Sequence, residues 1–190
     1  MVLGLLAYEQ FGKGISMNPT NNNRYQVNLN LPYPALQPQK RCPEYASAML
    51  SNIGSSNSEM SAVSLYFYNS VILQPEYSSF ARCFHDIGIV EMHHLDIFAS
   101  LALQLGADPR LWSMRNRGTY YWTPAYNQYP RELQEILENS IKGEMAAIQK
   151  YTKQAETIHD NNIVEILRRI ILDEQHHIKI FNDMLSQISS

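Results

Sequence analysis

The chain has 190 residues, of which 45% are hydrophobic and 17% are charged, and its formal net charge is −3. These values are typical of one globular domain with a sizeable core, and they give no sign of a basic surface for nucleic acid or an anionic membrane. The two cysteines form no C-x-x-C pair, which argues against a zinc ribbon or a disulfide scaffold, and no apolar run is long enough to span a bilayer, so we expect a cytoplasmic protein.

Residues 1–42 are rich in Asn, Pro, Gln and Gly and predict an irregular N-terminal arm. Residues 43–190 have helical periodicity and are predicted to form one domain. Pro43 suits the first position of a helix. The helical pattern continues, with a break near "GSSNS", until Pro75 ends it.

A second long helix is predicted over residues 78–105, closed by Gly106. Residues 107–129 form an aromatic connection without helical period. A third helix is predicted to begin at Pro130, and "DNN" from Asp160 supplies capping residues for a fourth. Since no alternating strand pattern occurs, the sequence predicts an all-α chain.

An internal repeat relates the two halves of this helical region. "EMSAVSLY" at residues 59–66 resembles "EMAAIQKY" at 144–151, and "EMHHLDIF" at 91–98 resembles "EQHHIKIF" at 174–181. The helical period places the glutamate and the second histidine of each later segment on one apolar face. Each half therefore has one helix with an inward Glu and a second with an inward Glu-x-x-His. These residues are Glu59, Glu91, His94, Glu144, Glu174 and His177.

Four buried carboxylates repel one another and are costly to desolvate, so their burial requires either protons or cations among them. Two divalent ions would balance the four negative charges, with the two imidazoles neutral. A set of six oxygen and nitrogen donors suits Fe or Mn better than structural zinc, which is usually four-coordinate and rich in thiolates. The residues therefore predict a site for two divalent metal ions, Fe or Mn.

The order of these motifs resembles the ferritin-like dimetal-carboxylate superfamily, in which two helices each provide a Glu and two others each provide Glu-x-x-His. The resemblance covers about residues 43–188. It implies an antiparallel four-helix bundle with one long crossover between helices 2 and 3, matching residues 107–129. It also implies that the six inward residues bind the metals, with Glu91 and Glu174 as bridges between the ions.

Within the superfamily, "CPEYASAMLSNIGSSNSEMSAVSLYFY" is similar to the manganese-catalase and spore-coat branch. Rubrerythrin-like and bacterioferritin-like proteins share the tyrosine seven residues after the glutamate. The chain departs from full-length rubrerythrin because it has no cysteine pairs for a rubredoxin module. It also has Ala147 where rubrerythrin-like sequences add a second glutamate.

Three further residues are candidates for supporting the site. Tyr66 and Tyr151 are either core tyrosines or phenols that bond a ligand carboxylate across the bundle. Asp173 occupies the position from which relatives orient a ligand histidine of the other half, here His94. The equivalent position of the first half is Val90, so His177 needs another partner.

Two other histidines and the aromatic connection have less specific interpretations. His93 and His176 point away from the ligand faces and are expected at the surface or at an interface. The Tyr- and Trp-rich residues 120–129 are expected to be a structural cover, with an interface and a substrate gate as alternatives.

The resemblance implies a dinuclear oxidoreductase that acts on hydrogen peroxide or dioxygen. We prefer a catalase-like reaction because it needs no external electron donor. The alternatives are a ferroxidase or other iron-handling protein, and a metal-stabilised coat protein. We expect a homo-oligomer, a dimer or larger, with no nucleic-acid or membrane partner.

Overall fold

The computed structural model describes residues 25–115 and 118–188, and residues 1–24 of the predicted arm lie outside this description. The long helices confirm the predicted all-α class. None of the described helices is long and apolar enough to cross a bilayer. The elements in chain order are α1 (Pro43–Gly54), α2 (Glu59–Leu73), α3 (Ser78–Gln104), β1 (Trp112–Arg115), β2 (Gly118–Tyr121), a 3-10 turn (Pro124–Tyr126), α4 (Leu133–Thr157) and α5 (Asn161–Ile188).

Contacts across the bundle show that α2 and α4 are antiparallel. Glu59, at the start of α2, accepts a hydrogen bond from Tyr151 in the second half of α4. Farther along α2, Tyr66 donates a hydrogen bond to Glu144, which lies earlier on α4. The two contacts are reciprocal, as the repeat in the sequence predicts.

The other two helices, α3 and α5, are also antiparallel. His94 of α3 lies 3.1 Å from Asp173 of α5, whereas His177 lies 3.0 Å from Glu91. A short turn joins α2 to α3 and reverses the chain, so α3 and α4 point in the same direction. The connection over residues 105–132 must therefore return along the bundle.

Two apolar clusters fill the bundle, and the buried glutamates and histidines of α3 and α5 lie between them. On α3, one cluster ends at Val90 and the other begins at Ile97. On α5, the corresponding limits are Ile170 and Ile180. Each large apolar side chain that is fully buried contributes roughly 1.5–3 kcal/mol. The apolar packing on both sides fixes the helical segments that carry the polar residues.

The α1–α2 junction is held against the rest of the fold by close packing and by a lysine. A Cβ on Gly54 would lie 2.3 Å from the backbone nitrogen of Trp112, so only glycine allows this approach. Lys150 donates to the carbonyl oxygens of Ser51, at 2.8 Å, and Asn57, at 2.6 Å. These bonds tie both sides of the helix break to α4.

The prediction that the chain contains no strand was wrong for the connection between α3 and α4. Trp112 pairs with Tyr121, and Met114 pairs with Thr119, in an antiparallel two-stranded sheet. Each strand has only 4 residues, too few for an alternating pattern to stand out. Aromatic and β-branched residues favour extended pairing, and the packing of β1 on Gly54 supplies the tertiary contact that stabilises it.

The helices begin and end near the predicted start and stop residues, with one exception. Gly106 has a φ of 104° and ends α3, as expected. The side chain of Asp160 accepts a 3.1 Å hydrogen bond from the amide of Asn162 and caps α5. Helix α4, however, begins at Leu133 and not at Pro130, because a proline suits an extended segment as well as a helix start.

The described part of the arm, residues 25–42, has no helix or strand and runs along α5 in the opposite direction. At one end, Gln187 donates a 2.9 Å hydrogen bond to Tyr25. At the other end, the amide of Gln39 donates a 2.7 Å bond to Asp160. The arm is therefore attached to the bundle at both ends of α5. The division of the chain into an arm of residues 1–42 and a bundle domain of residues 43–190 stays a prediction.

Candidate metal centre

The six residues predicted to bind metal lie together in the middle of the bundle. Helices α2 and α4 each supply one glutamate, and α3 and α5 each supply a glutamate and a histidine one turn later. Each residue is at most 2% exposed. They are Glu59, Glu144, Glu91, His94, Glu174 and His177.

The donor atoms form two overlapping groups, each able to hold one ion. Within each group, one donor atom per residue lies within 4.8 Å of all the others. Glu91 and Glu174 belong to both groups, so their carboxylates face both positions. The first group adds Glu59 and His94, and the second adds Glu144 and His177.

Both histidines direct Nδ1 toward the carboxylates. Nδ1 of His94 lies 3.1 Å from Glu91 and 3.3 Å from Glu174. Nδ1 of His177 lies 3.0 Å from Glu91 and 3.2 Å from Glu174. Nδ1 is therefore the nitrogen available to a metal, and Nε2 points outward from the centre. An imidazole that binds metal through Nδ1 keeps its proton on Nε2 and can donate it.

Several buried donor atoms face a common space at the centre of the cluster. Among the described residues, Glu91 Oε1, both carboxylate oxygens of Glu174 and Nδ1 of His177 have no hydrogen bond of acceptable geometry. Buried polar atoms are rarely left in this way. A mixed set of carboxylates and imidazoles facing one another suits Fe or Mn. The residues present therefore fit two such ions.

Without metal, burial and the neighbouring charges shift the pKa values of the glutamates in the cluster. Burial raises the pKa of Glu144 to about 8, and the charges of Glu91 and Glu174 add to this effect. The pKa of Glu59 is raised well above its usual value for the same reasons. Burial opposes ionisation of Glu91 too, but its contacts with His177 and His94 outweigh burial and hold its pKa below the usual range. Ionisation is thus favoured at Glu91 and disfavoured at Glu59 and Glu144.

The two tyrosines contact the outer glutamates in a crossed pattern. The phenol of Tyr66 donates to Glu144 Oε1, and the phenol of Tyr151 donates to Glu59 Oε1. Both phenols are buried, at 2% and 1% exposure. Each tyrosine joins α2 to α4 and orients one carboxylate. This is the contact that the sequence analysis offered as the alternative to ordinary core tyrosines.

Behind His94 lies a group of polar side chains that includes two residues absent from the sequence predictions, Tyr33 and Arg169. Nε2 of His94 lies 3.1 Å from Asp173 Oδ2, as expected from the motif. Asp173 also accepts a 2.6 Å hydrogen bond from Tyr33 of the arm and pairs at 2.6 Å with Arg169. Tyr33 stands between Pro32 and Pro34, which hold the backbone extended; this was the only signal in the sequence.

The two remaining histidines contact the arm. The ring of His93, which is exposed, lies 4.8 Å from the ring of Tyr33 in an edge-on arrangement. His176 is half-buried, and its Nε2 donates a 2.6 Å hydrogen bond to the carbonyl of Gln26. Neither belongs to the metal cluster, in agreement with the sequence analysis.

A cavity of about 380 Å³ lies between α2 and α4 and reaches the cluster. Of the six donor residues, only Glu59 and Glu144 line it, beside Tyr66 and Tyr151. Polar side chains of both helices form much of the wall. Residues 126–128 of the α3–α4 connection form part of the rim. The cavity gives a small polar molecule a route to the outer carboxylates.

A family model described as Rubrerythrin matches residues 54–185, a span that contains α2, α3, α4, all but the last three residues of α5, and all six donor residues. The chain belongs to the rubrerythrin family. This membership and the carboxylate–histidine cluster together support a dinuclear Fe or Mn site. A comparison with curated protein sequences finds no significant match.

Solved structures similar to this rubrerythrin-family chain have the ferritin-like bundle. Crystal structures of KatB, a manganese catalase from Anabaena, align with a TM-score of 0.75 and 19% identity, covering 85% of this chain and 80% of KatB. A bacterioferritin from Rhodobacter capsulatus, with a metal-free dinuclear site and heme iron, aligns with a TM-score of 0.66 and 19% identity, covering 80% of this chain and 89% of the bacterioferritin. At these identities the likeness establishes the fold alone.

Proposed function

We propose that this protein binds two Mn or Fe ions and disproportionates hydrogen peroxide into oxygen and water. The observation that carries the proposal is the pair of buried donor groups sharing Glu91 and Glu174, with a cavity that reaches both outer glutamates. When bound, two redox-active ions exchange two electrons, reducing one peroxide to two waters and oxidising a second to oxygen.

The residues of the chain have separate tasks in this reaction. Glu91 and Glu174 face both metal positions and hold them close together. The outer carboxylates, Glu59 and Glu144, face the cavity where peroxide enters and can accept its protons. Tyr66 limits the movement of the carboxylate that it contacts, Glu144, and the second tyrosine does the same for Glu59.

Two features favour disproportionation over a peroxidase reaction that consumes an external reductant. These 190 residues contain two cysteines and no C-x-x-C pair, so none of them forms a rubredoxin-type site that could deliver electrons. The cavity is lined by Ala147 at the position of the additional glutamate of rubrerythrin-like sequences. The structural likeness to a manganese catalase is in agreement with this choice.

Oxygen release from peroxide, measured with an oxygen electrode and no added reductant, tests the proposal. Protein loaded with Mn or Fe should evolve one oxygen per two peroxides. Ala147→Leu should fill the cavity and slow turnover while two ions per chain remain bound. His85→Ala, which changes an exposed histidine on α3, is the matched control and should retain full activity.

The alternatives from the sequence give different results in the same experiments. An iron-handling protein would be inert to peroxide, would oxidise Fe(II) with dioxygen and would assemble into a hollow shell. A coat protein would do neither, and metal would only raise its melting temperature. Either result would refute the catalase proposal.

We also propose that the protein forms a homo-oligomer through the outer face of α2. Phe67 and Val71 lie one turn apart on this helix and are 68% and 57% exposed. Large apolar side chains exposed side by side favour a protein interface. Light scattering after gel filtration should give at least a dimer, and Phe67→Lys should shift the mass toward the monomer.

A further inference from the structure

We infer that the two metal positions differ in affinity: the ion at His94 is bound more tightly than the ion at His177, and Tyr33 of the N-terminal arm is a positioning residue for the tighter position. The inference rests on the proposed dinuclear site. It concerns the side of each imidazole that faces away from the metals, where the structure departs from the symmetry of the repeat.

On the His94 side, the outward ring nitrogen contacts other polar groups. Nε2 lies 3.1 Å from both Asp173 Oδ2 and the phenol oxygen of Tyr33. Tyr33 donates to the same carboxylate oxygen at 2.6 Å, and Arg169 pairs with it at 2.6 Å. The carboxylate of Asp173 therefore has two hydrogen-bond contacts, with Tyr33 and His94, and an ion pair with Arg169, which together hold it in place. A proton on Nε2 has an acceptor, which leaves the lone pair of Nδ1 for a metal.

On the His177 side, no such support exists among the described residues. Nε2 of His177 is buried and has no hydrogen-bond partner in that part of the chain. The residue that corresponds to Asp173 in the repeat is Val90, which packs in an apolar cluster with Val27 of the arm. Within the described residues, no side chain accepts the Nε2 proton of His177.

This difference predicts an order of metal binding. A carboxylate behind a metal-binding histidine fixes the tautomer and raises the basicity of the ligand, and its loss typically weakens metal binding by 10–100-fold. The other donors of the two positions are equivalent, since each has one outer glutamate and the two shared ones. The histidine surroundings therefore decide the ranking.

Contacts with Arg169, in addition to the hydrogen bond to Asp173, hold Tyr33 of the arm in place. The guanidinium of Arg169 lies 4.3 Å from the centre of the Tyr33 ring. The same guanidinium donates from Nη2 to the carbonyl of Leu31 at 2.9 Å. Arg169 thus binds the arm and Asp173 together. We expect a substitution at Tyr33 to change the metal affinity of the His94 position and not that of the His177 position.

Titration of metal-free protein with Mn(II), with free ion measured by electron paramagnetic resonance, tests the inference. The wild type should bind two ions in two steps whose dissociation constants differ by about tenfold or more. His94→Gln should remove the tighter step, and His177→Gln should remove the weaker one. Two equal steps in the wild type would overturn the inference.

Variants behind the histidines test the cause. Asp173→Asn should weaken the tighter step by about tenfold, and Tyr33→Phe should weaken it in the same direction, with the weaker step unchanged in both. Val90→Asp should strengthen the weaker step. Tyr25→Phe is the matched control in the arm, because its hydroxyl contacts Gln187 far from the cluster; it should change neither step.

Melting of the metal-free variants separates positioning from general stability. A merely structural role would weaken both steps together and lower the melting temperature, which would overturn the assignment of Tyr33. If Asp173→Asn does not fold, Val90→Asp still tests the inference. An unchanged dissociation constant for the weaker step in Val90→Asp would overturn the inference. Two bound ions without oxygen release from peroxide would refute the proposed function but not this ranking, whereas equal steps in an active protein would refute the ranking alone.

Discussion

The metal-free protein should lose stability as the pH rises from 5 to 7. A carboxyl whose native pKa is raised keeps a proton that the unfolded chain has already released, so folding becomes less favourable as the pH increases. Glu144 and Glu59 both belong to this class. The pKa values of His94 and His177 are also raised, since burial is outweighed by the surrounding carboxylates, and their contribution is likewise lost as the pH rises. Glu91 has a lowered pKa and would lose its contribution only at more acidic pH.

The size of the effect follows from Glu144, which is only 2% exposed. Its pKa rises from 4.5 to about 8, so between pH 5 and 7 the native carboxyl holds a proton that the unfolded one lacks. Each pH unit in that range costs about 1.4 kcal/mol of unfolding free energy per group. Glu144 alone should therefore remove about 3 kcal/mol between pH 5 and 7.

Urea denaturation of metal-free protein at pH 5, 6 and 7 measures this slope. Glu144→Gln keeps an oxygen for the phenol of Tyr66 and has no proton to lose, so its free energy of unfolding should fall less steeply with pH. Glu156→Gln, on the exposed side of α4, should retain the wild-type slope. With excess Mn(II) the slope should reverse, because metal binds the deprotonated ligands. A wild-type stability that is flat or rises over this range without metal would refute the reasoning.

Three further outcomes are expected. Glu91→Gln, which removes a carboxylate shared by both positions, should reduce bound metal from two ions per chain to one or fewer in mass spectrometry, whereas Glu165→Gln on the exposed side of α5 should not. Gly54→Ala should lower the free energy of unfolding by about 1–3 kcal/mol, because its Cβ would lie 2.3 Å from the β1 backbone. Gly143→Ala should raise the free energy of unfolding by about 0.5–1 kcal/mol, because a Cβ there has no atom within 4 Å. Urea denaturation measures both. Lys150→Met should lower the melting temperature without changing metal content, since it removes the bonds to both sides of the α1–α2 break; an unchanged melting temperature would show that these bonds are not stabilising.

The helices and the donor residues could be predicted from the sequence because they depend on local periodicity. Glu91 and His94 share a helix face at any tertiary arrangement, and the repeat at Glu174 and His177 shows that the pairing is not accidental. The cost of burying four carboxylates then requires protons or cations among them. The role of these residues as metal ligands stays a prediction that the geometry supports.

The connection between α3 and α4 could be located from the sequence, but its structure could not be predicted. Residues 107–129 have no helical period, and strands of four residues are too short to produce a recognisable pattern. The hairpin forms where the backbone of Trp112 meets Gly54. That contact joins two distant segments and leaves no sign in either one alone.

The sequence by itself determined the helical class, the order of the four bundle helices and the six candidate ligands, since each follows from spacing along the chain. The motif also predicted Asp173 behind His94 and no counterpart at Val90, but only the tertiary structure showed that Tyr33 and Arg169 contact Asp173. Tyr33 and Asp173 are 140 residues apart, and their contact depends on the path of the arm along α5. Such contacts could not be predicted from the sequence, because side-chain hydrogen bonds between distant segments depend on positions to within a few tenths of an ångström, and the helical period sets only the face on which a residue lies.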